Sequence, residues 1–248
     1  MRNKDFEIWM IRMKGDPTSE IYAKYCARSW TDAGFHVNFF DAVTPETLPN
    51  YYHRIKFPDK SITEGTSSEQ NDQERSCLLS QILLWEKCVE INKPILVLEH
   101  DAFLENPEAI IYNPFVDVTY FSQHCMEAVL FQPSFCKDFL KWIKQIRAGV
   151  MKDGRIVKFD GPSSGPFALL ETFLGNNPDE NYFKYHKKPH TRYLGLTAPV
   201  KDIIIDELGS TIDHSRGKGK TSDNKDRTNY FRGNPFKVIS LNDVYEKK

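Results

Sequence analysis

Apolar and polar positions alternate in blocks over the first part of the chain. An apolar block at 6–13 predicts a first strand, apolar positions at helical spacing predict a helix over 18–33, and the block at 35–40 predicts a second strand. A strand, a helix and a strand in this order are typical of a βαβ unit with parallel strands. The pattern therefore predicts an α/β protein.

A polar stretch at 45–73 interrupts this pattern and is predicted to be a long loop. Helical spacing of apolar residues returns at 74–90, and a short link then leads into Ile95–Leu98, which predicts a buried strand. Further elements are predicted as a strand at 119–123, a largely helical stretch at 125–150 that is interrupted near 132–134, and a short helix at 167–174.

Composition and charge limit the number of domains and the class of partner that the chain can have. The 248 residues can fill one large domain, and the net charge of −1 argues against a general nucleic-acid coat. Basic residues accumulate late, so we predict one domain over 1–214 and a basic loop or tail over 215–248 that packs on or closes it. No apolar run approaches the roughly 20 residues of a membrane span, and the first residues do not form a signal peptide. A cytoplasmic location is therefore expected.

Charged residues follow the predicted strand Ile95–Leu98 at once, in the order Glu99, His100, Asp101. Ligands bind beyond the carboxyl ends of strands in open parallel sheets. Residues two apart in an extended segment point the same way, so Glu99 and Asp101 could converge on Mn²⁺ or Mg²⁺, which take oxygen ligands. Alternatively, the two carboxylates only solvate the following turn, because a bare Glu-x-Asp is weak evidence.

Five stretches, in order, resemble glycosyltransferase family 25, the lipooligosaccharide-type sugar transferases. They are IWMIRM with the later FFDAVTPETL, ERSCLLSQILLWEKCVE, ILVLEHDAFL, TYFSQHCMEAVLF and STIDHS. The second resembles the family's E-x-x-C-x-x-S-H-x-x-x-W helix, and the third resembles the strand that carries the Asp-x-Asp-type motif of GT-A folds. Gln81 departs from the family at its histidine, and His100 departs at the middle acidic residue.

The resemblance implies a GT-A-like, mainly parallel sheet flanked by helices, and transfer of a sugar from a nucleotide sugar, best matched by a UDP-linked one. It implies Glu99, Asp101 and His214 as ligands of Mn²⁺ or Mg²⁺, although His214 could equally be a solvated loop histidine. Asp160 is preferred over Glu171 as the general base, because Asp160 lies in a Gly/Pro/Ser loop. The candidate substrate-binding residues are Arg12, Glu74, Ser80, Gln81, Lys218 and Lys220.

Two of these candidate binding residues could instead have only a structural role. Arg12 could be a plain surface arginine, and Glu74 could be a carboxylate that offsets the helix macrodipole. The five cysteines contain no Cys-x-x-Cys pair, so buried reduced thiols are expected rather than disulfides or a zinc site.

The acceptor is predicted from the basic and aromatic stretch at 227–237. Phosphate backbones attract such a patch, and aromatic rings can hold an extruded base. Since Glu-His-Asp also resembles phage-encoded relatives, hydroxymethylated cytosine in phage DNA is the predicted acceptor. A lipooligosaccharide or another surface glycan is the alternative, and the stretch could also be a solvated tail. The departures at Gln81 and His100 motivate a further hypothesis, a non-catalytic module that binds a nucleotide or glycan.

Overall fold

The computed structural model describes residues 4–51, 72–122, 126–147, 166–174, 190–192, 199–205, 207–208 and 237–246. The strands are β1 Glu7–Arg12, β2 Val37–Asp41, β3 Ile95–Leu98, β4 Ala102–Leu104, β5 Val118–Tyr120, β6 Ala128–Phe131, β7 His190–Arg192, β8 Val200–Ile205 and β9 Lys237–Ile239. The helices are α1 Pro17–Asp32, α2 Asp72–Ile91, α3 Pro133–Arg147, α4 Pro166–Leu174 and α5 Leu241–Glu246. Short 3₁₀ turns lie at Leu48–Tyr51 and Pro107–Ala109.

A mixed sheet with the strand order β2-β1-β3-β6-β5-β7 forms the centre of the described structure. β1 runs parallel to both β2 and β3, as the βαβ pattern predicts. β6 then reverses direction, because it pairs antiparallel with β3 and with β5, while β5 and β7 are parallel. The predicted α/β class with a single domain is confirmed.

Both faces of the central strand β3 are buried. Ile95 and Val97 pack with α2 and α3 on one face, whereas Leu96 and Leu98 pack with α1 on the other. A strand that is covered on both faces reads as a continuous apolar run rather than an alternating one, which explains the four consecutive apolar residues.

Helix α1 begins and ends where its sequence provides the right groups. The carboxylate of Asp16 accepts a hydrogen bond from the Ser19 N–H at 2.7 Å, and Pro17 occupies the first helical position. At the other end Gly34 has a φ of +86° and donates its N–H to the Thr31 carbonyl oxygen at 2.9 Å. A left-handed residue of this kind favours glycine and ends the helix, as the sequence predicts.

A second sheet, β4-β8-β9, covers α1. Its strand β8 runs antiparallel to β4 and parallel to β9, so residues from the end of the chain join the body of the domain. The Tyr22 hydroxyl on α1 accepts a hydrogen bond from the Ile205 N–H at 2.7 Å and lies 3.5 Å from the Ile205 carbonyl oxygen. Trp30 Nε1 donates to the Ala102 carbonyl oxygen at 3.1 Å. These bonds fix the second sheet to α1.

One prediction about elements is wrong. The part of 125–150 before the predicted interruption is not helical, since Ala128–Phe131 forms β6 and the helix begins only at Pro133. The strands β4, β7, β8 and β9 are not predicted from the sequence. Most of the predicted loop at 45–73 lies outside the described residues. Within the described part of the chain, no helix is long and apolar enough to cross a membrane.

Candidate active site at the carboxyl ends of the strands

The chain turns immediately after β3. The Ala102 N–H donates to the Glu99 carbonyl oxygen at 3.2 Å and closes a turn. The prediction of an extended backbone over 99–101 is therefore wrong, because the turn replaces the extended geometry on which it rested. His100 lies toward α1, where its ring contacts that of Tyr22 edge-on with the centroids 5.7 Å apart.

Glu127 is a buried carboxyl beside this turn. Its backbone carbonyl accepts a hydrogen bond from the Glu99 N–H at 2.9 Å, and its side chain accepts one from Ser122 Oγ at 2.5 Å. Burial raises the pKa of Glu127 well above its usual range, and the charge of Glu99 adds to the rise, whereas the Ser122 hydrogen bond opposes it. The environment therefore favours a neutral Glu127.

Asp101 and Asp202 form a neighbouring carboxyl pair. They lie close because Ala102 of β4 pairs with Asp202 of β8, and the Ile203 N–H donates to the Asp101 carbonyl oxygen at 3.2 Å. Burial raises the pKa of Asp202 well above its usual range, and Asp101 is the next cause. The Oδ1 atom of each is buried and makes no hydrogen bond in the structure as described. A side-chain hydrogen bond with Asp101 also raises the pKa of Asp202, so the two carboxyls lie against each other and only their Oδ1 atoms are without a hydrogen-bond partner in the described structure.

Two cysteines near the site have raised pKa values. Burial raises the pKa of Cys77 on α2 to about 12, and the charge of Glu99 contributes to this rise. Burial also raises the pKa of Cys26 on α1, with Asp101 as the next cause. The described cysteines Cys26, Cys77, Cys88 and Cys136 are free thiols, and all except the partly buried Cys77 are buried.

Arg12 lies at the carboxyl end of β1, opposite Asp41 in β2. Its Nε donates to Asp41 Oδ1 at 3.0 Å, and its guanidinium carbon lies 4.6 Å from the centroid of the Phe39 ring. Lys14 Nζ approaches Asp41 Oδ2 at 3.4 Å. This edge of the sheet thus combines an aromatic ring with paired charges.

The predicted substrate-binding residue Ser80 is buried on α2. Its hydroxyl donates to the Ser76 carbonyl oxygen at 2.8 Å and accepts from the Val43 N–H at 2.9 Å. These bonds hold the segment after β2 against α2. Ser80 therefore holds the backbone after β2 in place, and its hydroxyl is engaged in these two bonds.

Gln81, the adjacent residue, has a completely buried side chain with a relative exposure of 0%. Neither Oε1 nor Nε2 has a hydrogen-bond partner in the structure as described. Leaving a buried polar group without a partner costs about 1–3 kcal/mol. This residue also occupies one of the two positions at which the chain departs from the resemblance.

The N-terminus of α1 follows β1 directly, where many α/β proteins bind phosphate groups. Here the Ser19 N–H donates to the Asp16 carboxylate at 2.7 Å, and the Gly15 N–H, just before the helix, donates to Glu20 Oε1 at 3.0 Å. Two carboxylates thus lie at the end of the helix where an anion would otherwise bind.

Several predicted site residues cannot be compared with this geometry. Asp160, His214, Lys218 and Lys220 lie outside the described residues. Glu74 and Glu171 belong to α2 and α4, but their side chains also lie outside the described part. Their roles stay predictions.

Sequence reasoning missed three carboxylates of this region, namely Glu127, Asp202 and Asp41. Antiparallel pairing, which the local pattern does not reveal, brings the first two toward the end of β3. Two weak signals existed, because Glu127 directly precedes the apolar block Ala128–Phe131 and Asp202 interrupts the apolar strand Val200–Ile205.

The predicted Mn²⁺ or Mg²⁺ can be tested against the chemistry of these groups. Among the residues that the structure describes, no group of three or more His, Cys, Asp and Glu side chains is arranged to hold a metal ion. The available donors are nevertheless carboxylate oxygens, which hard cations prefer, and the Oδ1 atoms of Asp101 and Asp202 are buried without a hydrogen-bond partner. The donor type therefore fits such a cation.

Comparison with known proteins gives one match to a protein family. A model described as "Glycosyltransferase family 25 (LPS biosynthesis protein)" matches residues 11–150, which is more than half of the 248 residues. The class of protein is therefore a glycosyltransferase. The chain belongs to glycosyltransferase family 25.

Two solved structures are similar to the chain at low sequence identity and low TM-score. A glycosyltransferase involved in the glycosylation of the major capsid of PBCV-1 is 9% identical, with a TM-score of 0.37 over 74% of this chain and 82% of that chain. Mouse xyloside xylosyltransferase 1, in its apo form, is 10% identical, with a TM-score of 0.35 over 79% of this chain and 99% of that chain. No curated protein matches the chain.

Proposed function

We propose that this glycosyltransferase moves a sugar from a UDP-linked nucleotide sugar to a hydroxyl group of an acceptor, with Mn²⁺ or Mg²⁺ as cofactor. The reaction would take place at the carboxyl ends of β1 and β3. The observation that carries the proposal is the Asp101–Asp202 pair, whose Oδ1 atoms are buried without a hydrogen-bond partner in the structure as described. It lies beside Glu99 and Glu127, beyond the end of a parallel strand, where ligands bind in open α/β sheets.

Electrostatics support a cation in this site. Carboxylates repel an anionic diphosphate, and the N-terminus of α1 is occupied by Asp16 and Glu20. A divalent cation at Asp101, assisted by Glu99 or Asp202, would offset the negative charge that develops on the diphosphate leaving group. Glu127 would add little repulsion, because its surroundings favour the neutral form.

The order of the strands suggests how the donor lies across the site. Arg12, Asp41 and Phe39 form the edge at β1 and β2, where a planar nucleoside finds an aromatic ring and paired charges. β3 lies next to β1 and ends at Glu99, so the diphosphate would follow there. The sugar would then lie toward β6, which is the next strand in the sheet.

For the acceptor we propose a saccharide of the lipooligosaccharide type, because the description of the matching family names LPS biosynthesis. Hydroxymethylated cytosine in DNA is the second candidate, and it rests on the basic and aromatic stretch at 227–237. For the general base, Asp160 is proposed ahead of Glu171 on sequence grounds.

The direct test measures release of UDP from UDP-glucose, UDP-galactose and UDP-N-acetylglucosamine with Mn²⁺, with and without each candidate acceptor. We expect turnover with at least one pair. We expect Asp101→Asn to lower kcat at least about 100-fold, because it removes a carboxylate that would hold the cation opposite the leaving diphosphate. Asp32→Asn, an exposed residue at the end of α1, is the matched control and should keep full activity.

Two results would contradict the proposal. If the Asp101→Asn enzyme kept the activity of the Asp32→Asn control, Asp101 would not act on the diphosphate. If the wild-type chain bound nucleotide sugars but did not release UDP with any of the tested donors and acceptors, the chain would be a binding module. Mass shifts of lipooligosaccharide and of hydroxymethylcytosine DNA decide between the two acceptors.

A further inference from the structure

Gln81 is a polar side chain that the unliganded structure leaves without partners. Both ends of its carboxamide are buried, and neither makes a hydrogen bond in the part of the chain that the structure describes. Buried polar groups are hydrogen-bonded in the great majority of cases, so an exception calls for a physical explanation. An apolar side chain of the same size would avoid the free-energy cost of burying an amide without hydrogen bonds.

The position of Gln81 on α2 places it at the carboxyl edge of the sheet. The neighbouring Ser80 accepts a hydrogen bond from the Val43 N–H at 2.9 Å, and Val43 follows the carboxyl end of β2. A long side chain in a helix leans over the turn that precedes it, so the buried amide of Gln81 leans toward the turn that holds Cys77. The amide therefore lies inside the protein at the edge of the sheet where the parallel strands end.

The chemistry of the amide narrows the class of ligand. A carboxamide offers two N–H donors and one carbonyl acceptor. A phosphate can only accept from it, and a metal ion can only bind its oxygen, whereas a sugar hydroxyl both donates and accepts. Since the nucleoside is proposed to lie at β1 and β2, the group that reaches α2 and β6 is the sugar.

We propose that Gln81 binds a hydroxyl group of the donor sugar and thereby selects the sugar; this inference rests on the proposed function. The side chain turns from its covered position to make these hydrogen bonds. The free protein carries the penalty of the unpartnered amide, and the bound sugar removes it. Stability and donor recognition should therefore respond in opposite directions when the amide is removed.

The test compares Gln81→Met with Gln132→Met. Gln132 is also buried, its Nε2 has no hydrogen-bond partner in the structure as described, and it follows Phe131, which pairs with Ile95 at the opposite end of β3. Both substitutions remove a buried amide, but only Gln81 lies at the carboxyl edge of the sheet. Thermal unfolding, KM for the three UDP-sugars and the increase in Tm that each UDP-sugar gives over UDP alone are measured for both variants and the wild type.

We expect Gln81→Met to raise the Tm of the free protein by about 2–4 °C and to raise the KM for the preferred UDP-sugar about tenfold, with the added stabilisation by the sugar lost. The Gln132→Met variant should keep the wild-type KM. An unchanged KM in Gln81→Met, or an equal rise in KM in both variants, overturns the inference. Turnover by the wild-type enzyme would then still uphold the proposed function. Absence of any turnover in the wild type overturns both. Gln81→Leu replaces Gln81→Met if the latter does not fold, with the same expected results.

Discussion

Glu127 shows how strongly position decides the chemistry of one side chain. It is 6% exposed, and its pKa is raised first by burial and then by the charge of Glu99. A carboxyl that is neutral in the folded state and charged in the unfolded state makes stability depend on pH. The stabilising contribution of such a group is fully present below its unfolded pKa, at about pH 4.3, and is lost as pH rises through the raised folded value.

Replacing Glu127 by glutamine should remove this dependence. The amide keeps the shape of the neutral carboxyl and does not ionise, so wild-type stability should fall relative to Glu127→Gln as pH rises from about 5 to 8. Thermal unfolding of both proteins across this range measures the difference, and Asp202 is common to both. A difference in Tm that stays constant with pH would show that Glu127 does not titrate differently on folding.

At the scale of the elements, the stability of α1 depends on Asp16, the residue that directly precedes the helix. The Asp16 carboxylate accepts a hydrogen bond from the Ser19 N–H and thereby occupies the end of α1 where an anion would otherwise bind. Asp16→Ala should destabilise the domain by about 1 kcal/mol and lower Tm by about 2–4 °C. Chemical or thermal unfolding provides the measurement.

Asp32→Ala is the control for this substitution at the other end of the helix. Asp32 is exposed, and its ion pair with Arg28 at 3.5 Å is also exposed. Such pairs contribute little, so the change should stay within about 0.5 kcal/mol. Equal effects of the two substitutions would mean that capping by Asp16 does not stabilise α1.

The elements also show what the sequence could and could not predict. The strands β1, β2 and β3 and the helices α1 and α2 follow from periodicity and from end signals such as Gly34. The segment of β6 is predicted as helical because its four consecutive apolar residues carry no period and the helix signal of Pro133 follows at once. The turn at Glu99 depends on bonds to distant strands, so the local pattern could not reveal it.

The same distinction applies to the candidate site. Glu99 and Asp101 could be predicted because they directly follow a recognisable strand. Glu127 and Asp202 join them only through the pairing of β6 with β3 and of β8 with β4. Pairing between strands that are distant in sequence is a property of the whole fold, so these carboxylates required the structure.

At the scale of the whole molecule, the last described strand belongs to the core of the domain. Ile239 in β9 is 7% exposed and packs in the cluster around α1. Ile239→Ala should cost about 2 kcal/mol or more of stability, because it removes buried apolar atoms and leaves a cavity. Urea-induced unfolding measures this effect.

Tyr245→Ala is the matched control, since Tyr245 lies in α5 only a few residues later and is 62% exposed. Its replacement should change stability by no more than about 0.5 kcal/mol. Similar midpoints for the two variants would contradict the assignment of β9 to the core.

The hydrogen bonds between Tyr22 and Ile205 connect residues 183 positions apart. A contact of this separation forms late, because the chain must close a long loop before the contact stabilises it. During synthesis on the ribosome, β1, α1 and β2 emerge early, but the outer side of α1 has to wait for β8 and β9. The apolar residues on the side of α1 that contacts the second sheet therefore stay uncovered for most of translation, and this side is a surface that chaperones would protect in the nascent chain.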